Sequence, residues 1–184
     1  MRIFQISILT LVIILAGCST ISKYDDQEIA AIVKGETITV GDLRFLYPDD
    51  AALDYLEWTI EVELVKQEVK EMGLDISDQL SDEADWFAEL PPKDTKDEGG
   101  KQILKFAKAQ AKKLDMDPEE YQQEYARKIN EQNAYLVTYF EEMAGEIDVD
   151  DEKEIEELNE KSMVLLDELK KRYENEIEIE VFIE

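Results

Sequence analysis

The sequence contains no histidine and a single cysteine, Cys18, with only 4 prolines and 7 glycines among its 184 residues. Without histidine, a serine or cysteine nucleophile lacks its usual base, and the commonest neutral metal ligand is missing. One cysteine makes no intramolecular disulfide, so packing alone must hold the fold. Basic residues are scarce as well: 20 stand against 46 acidic ones, a formal net charge of −26. Such a surplus repels nucleic acid and anionic lipid, and argues against both as partners of the protein body. Among so many carboxylates, close acidic pairs arise by chance and nominate no general acid or base. "DVDDEKEIEE" from Asp148 lacks the glycine and the spacing of a calcium loop, and Gly99-Gly100 lacks the flanks of a phosphate loop. No catalytic residue and no metal ligand is assigned, and the chain is expected not to be an enzyme.

Long apolar runs are also few, and the longest ends at the cysteine. Residues 1–17 carry Arg2, an apolar core from Ile8 to Leu15 and the small residues Ala16 and Gly17. That core is too short to cross ~30 Å of hydrocarbon and has the layout of a secretory signal. "LAGC", ending at Cys18, resembles a bacterial lipobox, in which the thiol receives diacylglycerol and becomes the first residue of the mature chain. The resemblance implies a covalent diacylglycerol on Cys18, no other cofactor, and a protein lipid-anchored on the extracytoplasmic face of a bacterial cell membrane. Two or more acyl chains hold a protein there stably, where one would not. Removing residues 1–17 takes away one basic residue and leaves 19 against 46 acidic, a formal −27.

Residues 18–27 read as a polar tether, and residues 28–184 as one domain. Two strands are expected, Ile29–Val33 and Thr37–Ile38, around a Lys34-Gly35-Glu36 turn in which Gly35 takes positive φ. Thr39 with Asp42 three residues on is a helix-start pattern. A helix over Asp50–Met72 should close on Gly73, with Leu53, Leu56, Ile60 and Leu64 on one buried stripe. Trp58, Val62, Val65, Val69 and Met72 make a second. Residues 78–100, within a stretch from Ser77 whose caps would be Ser77 and Ser81, read as a loop or insertion because prolines and glycines cluster there. Helix resumes over Lys101–Leu114. Asp117-Pro118-Glu119-Glu120 then opens another that runs to Ala144, with Tyr121, Tyr125, Ile129, Leu136, Phe140 and Met143 on one face.

The tail has the clearest periodicity. Ile155, Leu158, Ser162, Leu165 and Leu169 form a helical seam, and Lys170, Lys171 and Arg172 complement the negative end of the helix dipole. "IEIEVFIE" then alternates Ile177, Ile179, Val181 and Ile183 against Glu178, Glu180, Phe182 and Glu184, a strand with one buried face. A lone strand needs a partner, and the hairpin near Gly35 is the one offered. The expected fold class is therefore mainly α, a helical module with a small antiparallel β-sheet joining its N- and C-terminal segments.

"AAIVKGETITVGDL" followed by "LDYLEWTIEVELVKQEVKEMGLDIS" resembles the N-terminal chaperone module of the SurA/PrsA family of extracytoplasmic foldases, which begins with a hairpin and a helix ending in a K-x-x-G turn. "LDMDPEEYQQEYARKINEQNAYLVTYF" is similar to that module's later helix, and the terminal helix and strand to the piece that closes it. Val69 stands where the family carries a small alanine, and residues 78–100 have no counterpart. The family's parvulin prolyl-isomerase domain has no place either: no histidine is present, and too few residues separate Met143 from Leu169 to hold a domain of usual size. The resemblance implies a chaperone module without its enzyme, which holds unfolded or exported proteins on apolar surface cradled between helices. The rival expectation is a scaffold lipoprotein dedicated to one envelope protein.

Two features are candidates for client or partner contact. Lys101, Lys105, Lys108 and Lys112 form a basic stripe, which is equally the pattern of a solvated helix face. Trp86 and Phe87, in the acidic stretch before Pro91, read either as a staple closing the loop on the core or as an exposed apolar patch.

Overall fold

The computed structural model describes residues 20–80, 85–145 and 152–181. The signal residues, Cys18, Ser81, the acidic run from Asp148 and Ile183 lie outside the described residues, as do the side chains of Trp86, Ile155 and Leu158.

Strands β1 (Ile29–Val33) and β2 (Glu36–Thr39) are joined by Lys34 and Gly35, at φ 50° and 87°. Positive φ at both positions is a type I′ turn, whose twist matches that of the strands. Glu36 therefore begins β2 instead of sitting in the turn. Thr39 and Asp42 form the expected capping box of α1 (Val40–Leu46): Thr39 Oγ1 accepts from the Asp42 amide at 3.0 Å, and the Asp42 carboxylate accepts from the Thr39 amide at 2.9 Å. A 3-10 turn at Ala52–Tyr55 leads into α2 (Leu56–Met72), which ends on Gly73 at φ 69°. The helix thus starts later than Asp50. Its second stripe is buried only in the middle, at Val62, Val65 and Val69, while Trp58 and Met72 are exposed near its two ends.

The stretch read as loop contains a short helix, α3 (Asp85–Ala88), and the start of α4 (Glu98–Leu114). Asp97 caps α4, accepting from the Gly100 amide at 2.6 Å, so both glycines lie inside the first turn. A Cβ on Gly100 would stand 3.2 Å from Thr95 Oγ1 and 3.3 Å from Pro91 Cβ. The chain from Pro91 to Thr95 folds back on the helix start, and the glycine answers that close approach. α5 (Pro118–Ala144) opens on Asp117, whose carboxylate accepts from the Glu119 amide at 2.8 Å. Its buried positions include Tyr121, Ala126, Ala134 and Tyr139; Tyr125, Ile129, Leu136 and Phe140 are half-buried, and Met143 is exposed.

α6 (Glu152–Arg172) leads to β3 (Ile177–Ile179), which pairs antiparallel with β1 and gives the sheet order β2-β1-β3. The two ends of the domain meet in one sheet, as the tail's alternation requires. That alternation does not hold all along the strand: Ile177 is half-buried and Ile179 is 49% exposed. The amides of Glu180 and Val181 both reach the Ala30 carbonyl, at 3.0 and 3.4 Å, and this break in the ladder turns Val181 into the core.

Two apolar clusters result. The larger joins the sheet, α1, α2, Tyr139 and Leu169; the smaller sets Ala107, Ala111 and Tyr121 among Phe45, Phe106 and Tyr125.

Candidate functional site

Between β2, α2 and α5 lies a groove of about 490 Å³. Ile38, Leu46 and Val62, each nearly buried, form its apolar base. Lys66, Gln67 and Lys70 project from α2; Lys128, Glu131, Gln132 and Tyr135 face them from α5 at the i, i+3, i+4 and i+7 spacing of one helix side. Lys66 pairs with Glu63 at 3.6 Å, and Lys70 and Lys128 stand 5.9 and 5.3 Å from the ring centres of Tyr135 and Phe45. The lining is a ring of ionic and hydrogen-bonding groups around an apolar base.

At the turn end of the groove, Lys34 ties three parts of the chain together. Its ammonium is 2.9 Å from Glu71 and 3.6 Å from Glu68, and sits 3.8 Å from the centre of the Tyr173 ring. Glu68, only 8% exposed, also accepts from the Tyr173 hydroxyl at 2.5 Å and from Arg172 at 3.1 Å. Burial alone would lower the Lys34 pKa; hydrogen bonding with Glu71 and Tyr173 outweighs it and holds the pKa above its ordinary value. The buried charges are thus paired, as burial demands.

A second polar knot fastens α4 to the C-terminal end of α1. Gln110, 3% exposed, donates to the carbonyls of Arg44, Phe45 and Tyr47 at 3.1, 3.2 and 3.1 Å. The Tyr121 hydroxyl adds a bond to the Phe45 carbonyl at 3.0 Å, and Lys113 one to that of Tyr47 at 2.9 Å. These side chains satisfy carbonyls that a helix end leaves without partners. Asp49 sits 3.1 Å from both Arg44 and Lys113, and Arg44 also pairs with Asp26. Burial tends to raise the Asp49 pKa, but these two cations outweigh it and keep it below the usual carboxylate value; burial pushes Lys113 down.

The residues singled out from the sequence lie elsewhere. Lys101, Lys105, Lys108 and Lys112 are exposed on α4, with Lys101 bonded to Glu98 at 2.5 Å, and none lines the groove. Phe87 is half-buried, its ring 6.2 Å from that of Tyr125 and its carbonyl accepting from Gln122 at 2.7 Å, the arrangement of a staple. No local pattern marks the groove residues, because each helix carries only an ordinary polar stripe; the groove exists where α2, α5 and the hairpin face one another. Among the described residues no cluster of acidic side chains could hold a metal ion, and no helix is long and apolar enough to cross a membrane. Compared with protein-family models, curated proteins and solved structures, the chain matches none of them.

Proposed function

We propose that this protein is a lipid-anchored extracytoplasmic holdase or assembly factor, which holds unfolded or nascent exported segments and performs no chemistry on them. The groove carries this reading: it is open, apolar at its base, and rimmed by charged side chains. Short apolar stretches of a client would pack on the alkyl stems of Lys66, Lys70 and Lys128 and on the small exposed part of Ile38, Leu46 and Val62, while the charged tips accommodate varied flanking residues. The sequence around Cys18 supplies the tether, and the absence of histidine removes the usual polar cluster of a parvulin site. A prolyl isomerase must lower a barrier of ~18–20 kcal/mol, a demand that holding a client does not make.

The test is a client assay with the full chain. It should suppress aggregation of several unrelated unfolded proteins at similar ratios, leave cis/trans exchange of a proline peptide unaccelerated, and leave the membrane fraction when Cys18→Ser removes the acylated thiol. Isomerase turnover would overturn the non-enzymatic role. Indifference to every unfolded client, with one partner recovered by crosslinking on intact cells, would replace the holdase by a dedicated scaffold.

A further inference from the structure

We propose that a client segment binds the groove as an added β-strand on the open edge of β2, with Thr37 supplying the main-chain hydrogen bonds. The inference rests on the holdase reading and specifies how a client is held. Its basis is the parity of the hairpin. The two-residue type I′ turn makes Val33 and Glu36 a hydrogen-bonded pair, so Ile32 and Thr37, opposite each other, form the next, non-hydrogen-bonded pair. Even-numbered residues of β1 accordingly face the other way: the Lys34 amide donates to the Glu176 carbonyl at 2.8 Å, and the Ala30 carbonyl accepts from Glu180. On β2, Thr37 and Thr39 must then point their amides and carbonyls away from β1. The Thr39 amide is already capped by Asp42. Thr37 is exposed and lines the groove, and its outward amide and carbonyl meet no partner among the described residues.

An edge of this kind is a template for a further strand. β2 is short, which is one way proteins blunt an edge, so Thr37 alone would hold a client weakly; the side chains of Lys66, Lys70, Lys128 and Tyr135 that line the groove supply the rest of the contact. The occupant is an extended segment of an unfolded polypeptide in which basic and apolar residues alternate. Alternation follows from the strand period, which turns one set of side chains toward Ile38 and Leu46 and the other outward. Basic residues follow from charge: Glu36 adjoins Thr37 and makes no ion pair among the described residues, the five acids of the lining outnumber its four lysines, and the whole chain carries −26. The same charge opposes a second copy adding edge to edge.

Thr37→Pro removes the outward amide while sparing the hairpin's own ladder, since proline is tolerated on an edge strand whose N–H faces solvent. Thr37→Ala keeps the amide. The probe is a fluorescein-labelled peptide of alternating valine and lysine, titrated by anisotropy into each full-length protein at low salt. Thr37→Pro should weaken binding by about tenfold, the scale of one or two lost hydrogen bonds, and Thr37→Ala by less than about twofold. N-methylation of the peptide's backbone at alternate residues should weaken binding to the unaltered protein in one register and not in the other. Equal affinity of Thr37→Pro and the parent protein, or equal loss in both variants, would overturn the edge-strand mode. If aggregation suppression survives in that case, the holdase role stands without it; absence of binding by peptide and clients alike would sink both.

Discussion

The region around α2 and the region around α4 solve the same problem, burying one side of a helix, with opposite materials. α2 buries Leu56, Ile60, Leu64, Val65 and Val69 against the sheet, α5 and α6, and its one buried acid, Glu68, is met by Lys34, Arg172 and Tyr173. α4 buries Ala107 and Ala111 with Gln110 between them, and meets aromatic rings: Phe106 lies 6.1 Å from Tyr121 and 5.3 Å from Tyr125, at steep angles, while the two tyrosines stack at 5.7 Å. The small residues lie on the buried face of α4, and between them the long Gln110 side chain reaches three carbonyls at the end of α1. The first region is held mainly by apolar area, the second by directed polar contacts inside an aromatic shell. An area-held region resists small shifts of its neighbours; a contact-held region depends on particular atoms.

The strongest way to break that contrast is through the aliphatic region. Leu64 is fully buried, and Leu64→Ala should cost ~2–5 kcal/mol of a total stability of roughly 5–15 kcal/mol. Because α5 supplies Tyr139 to the larger cluster and Tyr121 to the smaller, both should melt together. Hydrogen exchange at the amides of α2 and of α4, followed through urea unfolding, should give coincident transitions, both shifted. An unshifted α4 transition would show two separately cooperative regions.

This contrast also explains what could be read in the sequence. Apolar residues at helical spacing made α2 legible, and Lys34-Gly35, the Thr39-Asp42 box, Asp117-Pro118 and Gly73 marked the turns and caps. The sheet joining the ends followed from one lone strand needing another. α4 is legible as a helix, but its start is hidden because Gly99 and Gly100 look like loop, and it takes Pro91 and Thr95 folding back to explain Gly100. Gln110 and Lys113 look like ordinary surface residues of a charged helix; no local pattern reveals that α1 ends against them. The groove was hidden for a related reason, since Thr37, Lys66 and Gln132 come together only through tertiary packing. Trp58 and Met72 were placed inside on spacing alone, yet spacing gives a face and not the extent of its cover.

A smaller effect sharpens the second region. Gln110→Ala removes a donor shared by the carbonyls of Arg44, Phe45 and Tyr47, although Lys113 still serves Arg44 and Tyr47, and Tyr121 still serves Phe45. The cost should be ~1–3 kcal/mol, the net worth of the two N–H donors that are lost, since each carbonyl keeps a partner. Hydrogen exchange should then rise first at the amides of α1 and α4 while α2 stays protected. Exchange increasing equally in α2 would mean the polar knot is not a local fastening.

The smallest effect carries a sign of its own. Tyr121 is fully buried, and burial pushes its phenol well above the ordinary value of 10.0. The folded state therefore keeps Tyr121 protonated where the unfolded chain would ionise it. Its contribution is fully present below about pH 10 and is lost as pH rises further, because ionisation then favours the unfolded chain. Tyr121→Phe removes both the hydrogen bond to the Phe45 carbonyl and the phenol that ionises. At pH 7 the variant should be less stable by ~0.5–1.5 kcal/mol, the usual worth of one such bond. Above pH 10 the gap should narrow, since the parent protein alone loses the Tyr121 contribution. Burial raises Tyr47, Tyr125 and Tyr139 in the same direction, so both proteins should weaken in alkali, the parent more steeply. Urea midpoints at pH 7 and above pH 10 measure the gap directly. A gap that stays constant or widens would mean that the Tyr121 phenol reaches water before the fold opens, and that the aromatic cluster does not seal it.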